Sequence, residues 1–145
     1  MNTDAMRVVN GTYGYIHHEG NWLSQYNKAT AKVDINKAEL KLSGDRWIRH
    51  KVLTLKGTGS IEGYKVTDEL MQQIGVVINS NNPSYRTELI FALKDPEAWG
   101  YERIRLKNVM FDSIDVANWE AGAEIKESWP FTFEGYELVD PLEAD

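Results

Sequence analysis

Period-2 alternation dominates the chain: apolar and polar residues swap place one by one, with β-branched and aromatic side chains in the runs and Gly, Asn and Asp between them. Tyr13 to His18 reads as a short strand, Glu19-Gly20-Asn21 as a turn, and Trp22 as the start of a return strand running to Ile35 or Lys37. A further turn is expected at Ser43-Gly44-Asp45. Arg46 to Lys56 alternates weakly, with Trp47, Leu53 and Leu55 on one parity. Gly57-Thr58-Gly59 is expected to interrupt the chain before strand resumes over Ser60 to Val66. Tyr85 to Lys94 alternates cleanly, and Tyr101 to Asp112 does so again with Ile104, Leu106 and Met110 opposite Arg103, Arg105 and Lys107. A last strand spans about Ser128 to Leu138, with Pro130 near its start, where a missing donor is tolerated.

One stretch has a different period. Leu70, Met71, Ile74, Val77 and Ile78 recur near 3.6 residues, behind Thr67 as N-cap and Asp68 and Glu69 in the first turn. This predicts one helix over about 67–78, followed by a loop at 79–84. Many strands, one helix and short connections, except at 39–59, predict a mainly β domain. The expected form is an antiparallel β-sandwich or partly open barrel with the helix packed across it. The 145 residues suit one domain, and no boundary, repeat or low-complexity segment divides them.

Composition removes several function classes. The absence of cysteine excludes disulfides, thiolate metal sites and cysteine nucleophiles. Met1 to Val9 carries Asn2, Asp4 and Arg7 with no apolar run behind it, so no secretory signal is expected, and no run of about 20 apolar residues predicts a membrane span. Asn10-Gly11-Thr12 then reads as a turn before a strand. The histidines are His17, His18 and His50; neighbours on a strand point to opposite faces, so the first two do not chelate together. No metal or cofactor is expected. The glycines of 57–63 lead into more strand and no Lys-Ser/Thr pair follows, so they mark a bend or a close backbone approach and not a phosphate loop. Carboxylates abound without a catalytic spacing, and no nucleophile elbow occurs. The basic stripe Arg103, Arg105 and Lys107 is read as pairing with acids across strands or subunits, because the whole chain is acidic, with net charge −6.

The distribution of charge adds more. Residues 113–145 hold nine acids and one base, whereas 39–56 holds Lys41, Arg46, Arg49, Lys51 and Lys56 against Glu39 and Asp45. These are two complementary poles on one subunit. Of the five tryptophans, Trp47 and Trp99 look least like core, and partly exposed aromatics favour protein interfaces.

The order of several segments is familiar: Asn10-Gly11-Thr12-Tyr13-Gly14; Val33 to Gly44 ending in Lys41-Leu42-Ser43-Gly44; Gly57-Thr58-Gly59 leading to Tyr64-Lys65-Val66-Thr67; Phe111-Asp112-Ser113; and Pro130-Phe131-Thr132-Phe133-Glu134. In that order they resemble the tail tube (core tail) proteins of the PBSX-like prophage family, which belong to contractile-tailed phages and phage-tail-like bacteriocins. The resemblance covers about Asn10 to Leu142. It implies a non-enzymatic subunit of a virion tail or tail-like particle, assembled in the bacterial host cytoplasm. It also implies hexameric rings stacked into a tube, with tail sheath, tape measure and baseplate proteins as partners and DNA only as passing cargo. In such proteins a long hairpin or loop between early strands reaches the neighbouring ring; the matching region here is Glu39 to Lys56. Leu42, Arg46, Trp47, Arg49 and Lys51 are the expected inter-ring contacts, and Glu120, Glu124 and Glu127 the expected acidic partner. Two other readings stand beside it, a type VI secretion-like tube protein and a monomeric β-barrel that binds a small ligand. Particle size in solution separates the last from the first two.

Overall fold

Strands run where alternation is unbroken, and the chain reverses where Gly, Asn and Asp cluster. The computed structural model describes residues 4–78 and 81–143, with Ile78 described by its backbone alone. The elements are β1 (Gly14–His18), β2 (Asn21–Trp22), β3 (Tyr26–Leu40), β4 (Arg49–Tyr64), α1 (Glu69–Ile74), β5 (Thr87–Leu93), β6 (Glu102–Phe111), β7 (Lys126–Phe133) and β8 (Gly135–Asp140). All pairings are antiparallel, along the path β2-β1-β5-β6-β7-β4-β3 with β8 added on β6. Strand β6 is shared: Arg103 to Lys107 pair with β8, while Met110 and Phe111 pair with β7. One half (β1, β2, β5, β8) and the other (β3, β4, β7) thus enclose one core, which takes Ile16 and Leu89 from the first and Ile61, Trp129, Phe131 and Phe133 from the second. The expected antiparallel sandwich with one helix is the architecture observed.

The expected break at Gly57-Thr58-Gly59 is a correction. Strand β4 runs straight through it, and of the two readings of these glycines the close approach holds and the bend does not. Gly57 pairs with Phe133, Gly59 with Phe131 and Ile61 with Trp129. A β-carbon on Gly57 would lie 2.5 Å from the Phe133 ring, and one on Gly59 would lie 2.8 Å from the Phe131 ring and against the Thr30 carbonyl. The aromatic rings therefore occupy the space that side chains on β4 would fill. Around Phe131, Phe91 and Phe111 pack edge-on at 6.4 and 6.0 Å between centroids.

Further boundaries differ from expectation. The α-helix ends at Ile74 and tightens into a 3₁₀ turn at Gly75–Ile78, so the phase shifts and Val77 is exposed while Leu70 and Ile74 stay buried. Asp68, not Thr67, is the N-cap; it makes no side-chain cap bond and pairs with Lys65 at 3.2 Å. Asn79 and Ser80 of the expected loop lie outside the described residues. In β6, Asn108 has φ 52°, and the register on β5 jumps from Val109 to Leu106, so Val109 replaces Met110 as the next buried residue. The last strand divides at Glu134 into β7 and β8, and Pro130 sits inside β7. Its carbonyl accepts from the Asp112 N–H at 2.9 Å, which places its donor-less nitrogen on the side where β6 leaves the sheet.

The first hairpin closes through Glu19 and Gly20, both with positive φ, as a two-residue turn requires. His18 beside it is buried, with Nε2 3.1 Å from the hydroxyls of both Tyr85 and Thr87. Burial holds its pKa below the usual 6.5, and the carboxylates of Glu19 and Glu69 offset this only in part.

Two outcomes are expected. Gly59→Ala destabilises the fold by about 1–3 kcal/mol through overpacking, whereas Gly11→Ala, with nothing near its β-carbon, changes the urea midpoint little. For His18 the folded pKa lies below the unfolded 6.5, so the unfolded chain binds the proton first. Stability is then full above pH 6.5 and falls as pH drops from there toward the folded value. Urea midpoints at stepped pH check this, and His18→Gln should flatten the slope.

Candidate assembly interface

Strands β3 and β4 are far longer than the body they belong to. Their pairing continues from Tyr26↔Gly63 to Leu40↔Arg49, with irregularities between Tyr26 and Lys28 and between Asn36 and Lys37. Odd-numbered positions of β4 face the core as far as Gly57; Val33 and Ile35 follow on β3 as the partners of Gly57 and Leu55. Beyond Gly57 no second layer lies over this face. Leu55 is 66% and Ile35 56% exposed, and Val52 and Leu53 are similarly bare. A core-type surface thus leaves the body uncovered.

The expected long connection at 39–59 is therefore mostly paired strand. Only Lys41 to Ile48 and the bulged Leu53 lie outside the ladder, and the tip is built. Asp45 N–H donates to the Leu42 carbonyl, and Gly44 takes φ 79°. The Asp45 carboxylate accepts from the Trp47 N–H and the Arg49 Nε, both at 2.9 Å, and those two bonds hold its pKa below the usual carboxylate range. Weak alternation hid the ribbon because a bulge at Leu53 breaks the parity between Thr54 and Val52. Leu42, Arg46, Trp47, Arg49 and Lys51 are brought together on this arm: Arg49 is tied to Asp45, Lys51 pairs with Ala38, and Trp47 is 73% exposed.

The acidic residues do not stay together. Glu120 and Glu124 lie exposed on the irregular segment between β6 and β7. Glu127 is buried, and its Oε2 accepts from the Tyr26 hydroxyl at 2.7 Å and the Trp129 Nε1–H at 3.0 Å. Burial first, then the Glu127 carboxylate, push the Tyr26 phenol far above its ordinary value, so it remains a donor. Glu127 therefore leaves the exposed acidic set: it turns inward with the core parity of β7, between two buried donors. Sequence reading missed Val116 and Trp119, which stand exposed beside Glu120, the tryptophan at 74%. Trp129 alone among the tryptophans is core; Trp99 is half-buried beneath the Arg7 guanidinium, 4.6 Å away.

Arg103 and Arg105 of the basic stripe pair within the subunit. Arg105 meets Glu88 at 3.0 Å and Glu137 at 3.7 Å, and Arg103 meets Asp140 at 3.8 Å, all across neighbouring strands. Between the halves lies an apolar groove of about 680 Å³, lined among others by Ile16, Val33, Phe91, Ile104 and Tyr136.

This two-layer body with a projecting ribbon is the fold of contractile-injection tube proteins. It is similar to a chain of the PVC sheath–tube complex of an extracellular contractile injection system in its extended state, with TM-score 0.71 and 8% identity over 95% of this chain and 100% of that one. The chain belongs to the phage tail tube protein family, whose model matches residues 1–140. It is 28% identical over 139 residues to Phage-like element PBSX protein XkdM of Bacillus subtilis (strain 168), covering 95% of each. It is also 30% identical over 142 residues to Uncharacterized protein YqbM of the same organism, covering 97% of this chain and 96% of that one. The PBSX-type resemblance read from the sequence is thereby established, and with it a structural role in a tail tube.

Removing Glu127 should strand the buried Tyr26 hydroxyl as a donor, while Trp129 Nε1–H keeps the Tyr26 oxygen as acceptor at 2.8 Å. Glu127→Ala is expected to destabilise the subunit by about 1–3 kcal/mol, and Glu127→Gln, which keeps an acceptor, by less. Denaturant midpoints with unchanged m-values check this.

Proposed function

We propose that the chain forms hexameric rings that stack into a hollow tube, the conduit for DNA or ejected contents of a contractile tail or tail-like particle. The observation that carries this reading is the uncovered stripe of Ile35 and Leu55, a core face that its own subunit leaves open. A second copy supplies the missing layer, and a heterologous contact of that kind closes into rings or repeats into stacks. Joining subunits also covers the outer edge of β3, which otherwise invites uncontrolled pairing. A sheath surrounds the tube, with tape measure and baseplate proteins at its lumen and end, and assembly takes place in the host cytoplasm. The protein turns over no substrate in this role. The apolar groove is the one observation that favours the ligand-binding reading.

Leu40 and Arg49 pair directly, so an Asn-Gly turn can replace Lys41–Ile48 without disturbing the ladder. The shortened protein should melt like the full chain yet build no tubes in negative-stain electron microscopy. Normal polymerisation of that variant would count against the arm as the stacking element. Trp47→Ala should weaken stacking by about 2 kcal/mol, as for an anchor at an interface.

A further inference from the structure

The arm needs a receiving surface, and the sheet register says where it lies. Strand β4 runs 16 residues from Arg49 at the tip to Tyr64, about 50 Å of extended chain at ~3.3 Å per residue. At its far end Tyr64 pairs with Lys126, and the Lys65 N–H donates to the Ile125 carbonyl at 2.8 Å. The segment 112–125 is therefore fastened to the end of β4 opposite the tip. The two cannot meet within one subunit, but a second copy stacked head to tail along the direction of β4 brings them together.

Their chemistry is complementary. Residues 41–51 carry four bases, Lys41, Arg46, Arg49 and Lys51, against the single acid Asp45, which is already bonded to Arg49. Residues 112–125 carry four acids, Asp112, Asp115, Glu120 and Glu124, and no base. Among the described residues only Glu124 of these is ion-paired, to Lys126 at 3.8 Å with both side chains exposed. Each side also presents apolar surface that its own subunit leaves bare: Leu42, Trp47 and Ile48 on the tip, and Val116 and Trp119 on the loop. Beside the loop lies a depression of about 440 Å³ walled by Tyr64, Asp115 and Asn118.

We propose that the tip of one copy docks on the 112–125 face of a second copy, with Trp47 and Ile48 against Val116 and Trp119. Arg46 and Lys51 face Glu120 and Glu124 around that apolar centre. This rests on the stacked-tube reading and specifies its axial contact. An aromatic centre ringed by opposite charges supplies affinity at the middle and orientation at the rim.

Charge reversal tests it on the full chain. Arg46→Glu with Lys51→Glu, and separately Glu120→Lys with Glu124→Lys, should each lower the stacked fraction at least tenfold, as read by sedimentation and electron microscopy. The four substitutions together should restore it to within about threefold of the parent, the sign of a direct charge pairing. All four sites are exposed, and circular dichroism checks that each variant is folded. Stacking unchanged by either pair, or a fourfold variant as unstacked as the pairs, overturns the docking. Single rings that persist in every variant leave the ring reading intact. A second arm does not depend on tube growth. The chain has no cysteine, so Ser43→Cys combined with Ala121→Cys should cross-link under oxidation into a ladder of multimers. Dimers alone, or no cross-link, would overturn the proposal.

Discussion

The rings of Phe131 and Phe133 lie across Gly59 and Gly57 on the adjoining strand, and the rest of the molecule is arranged around that overlap. Because β4 gives up its side chains there, two aromatic rings fill the core face of two strands at once. This contact locks the register of β4 against β7, and a one-residue slip would turn every apolar group to the wrong face. It also fixes where the body ends. Past Gly57 the strand regains a side chain at Leu55, but β7 has no ring left to cover it. The same parity that builds the core thus carries an apolar stripe out of it.

That arrangement gives the subunit two unlike ends. The tip of the ribbon is basic and aromatic; the 112–125 segment at the other end of β4 is acidic and aromatic. Between them the surface charges largely satisfy one another: Arg103 and Arg105 meet acids on the strands beside them, and Arg86 meets Glu134 at 3.1 Å. Exposed pairs of this sort contribute little to stability, but they leave the uncompensated charge at the poles. Stability rests instead on the buried centre, where Glu127 accepts from Tyr26 and Trp129 and ties the start of β3 to β7 across the β4 strand between them.

Much of this was legible in the sequence because alternation reports burial directly wherever one face of a strand is covered. The β5 and β6 strands, the first hairpin and the helix at Leu70 to Ile74 all followed from period. Where reading failed, a specific contact overrode the local signal. Gly57 and Gly59 looked like a break because the phenylalanines that occupy their space lie some 70 residues away. The arm looked irregular because its apolar face is covered by nothing in the same chain and a bulge resets its parity. Glu127 counted as surface because a carboxylate is rarely buried, and no neighbour in sequence announces the Tyr26 hydroxyl. Trp119 was visible as a residue, but its exposure was not, since the segment around it has no period to say which way it faces.

The central claim is that the core face carried outward on the β3–β4 ribbon is completed by a second copy. Hydroxyl-radical footprinting of the assembled and the dissociated protein measures this directly, side chain by side chain. The account predicts that oxidation of Ile35, Trp47, Leu53 and Leu55 falls several-fold on assembly, while buried Ile61 and Phe131 stay protected in both states. Equal oxidation of the four arm residues in assembled and dissociated protein would contradict it.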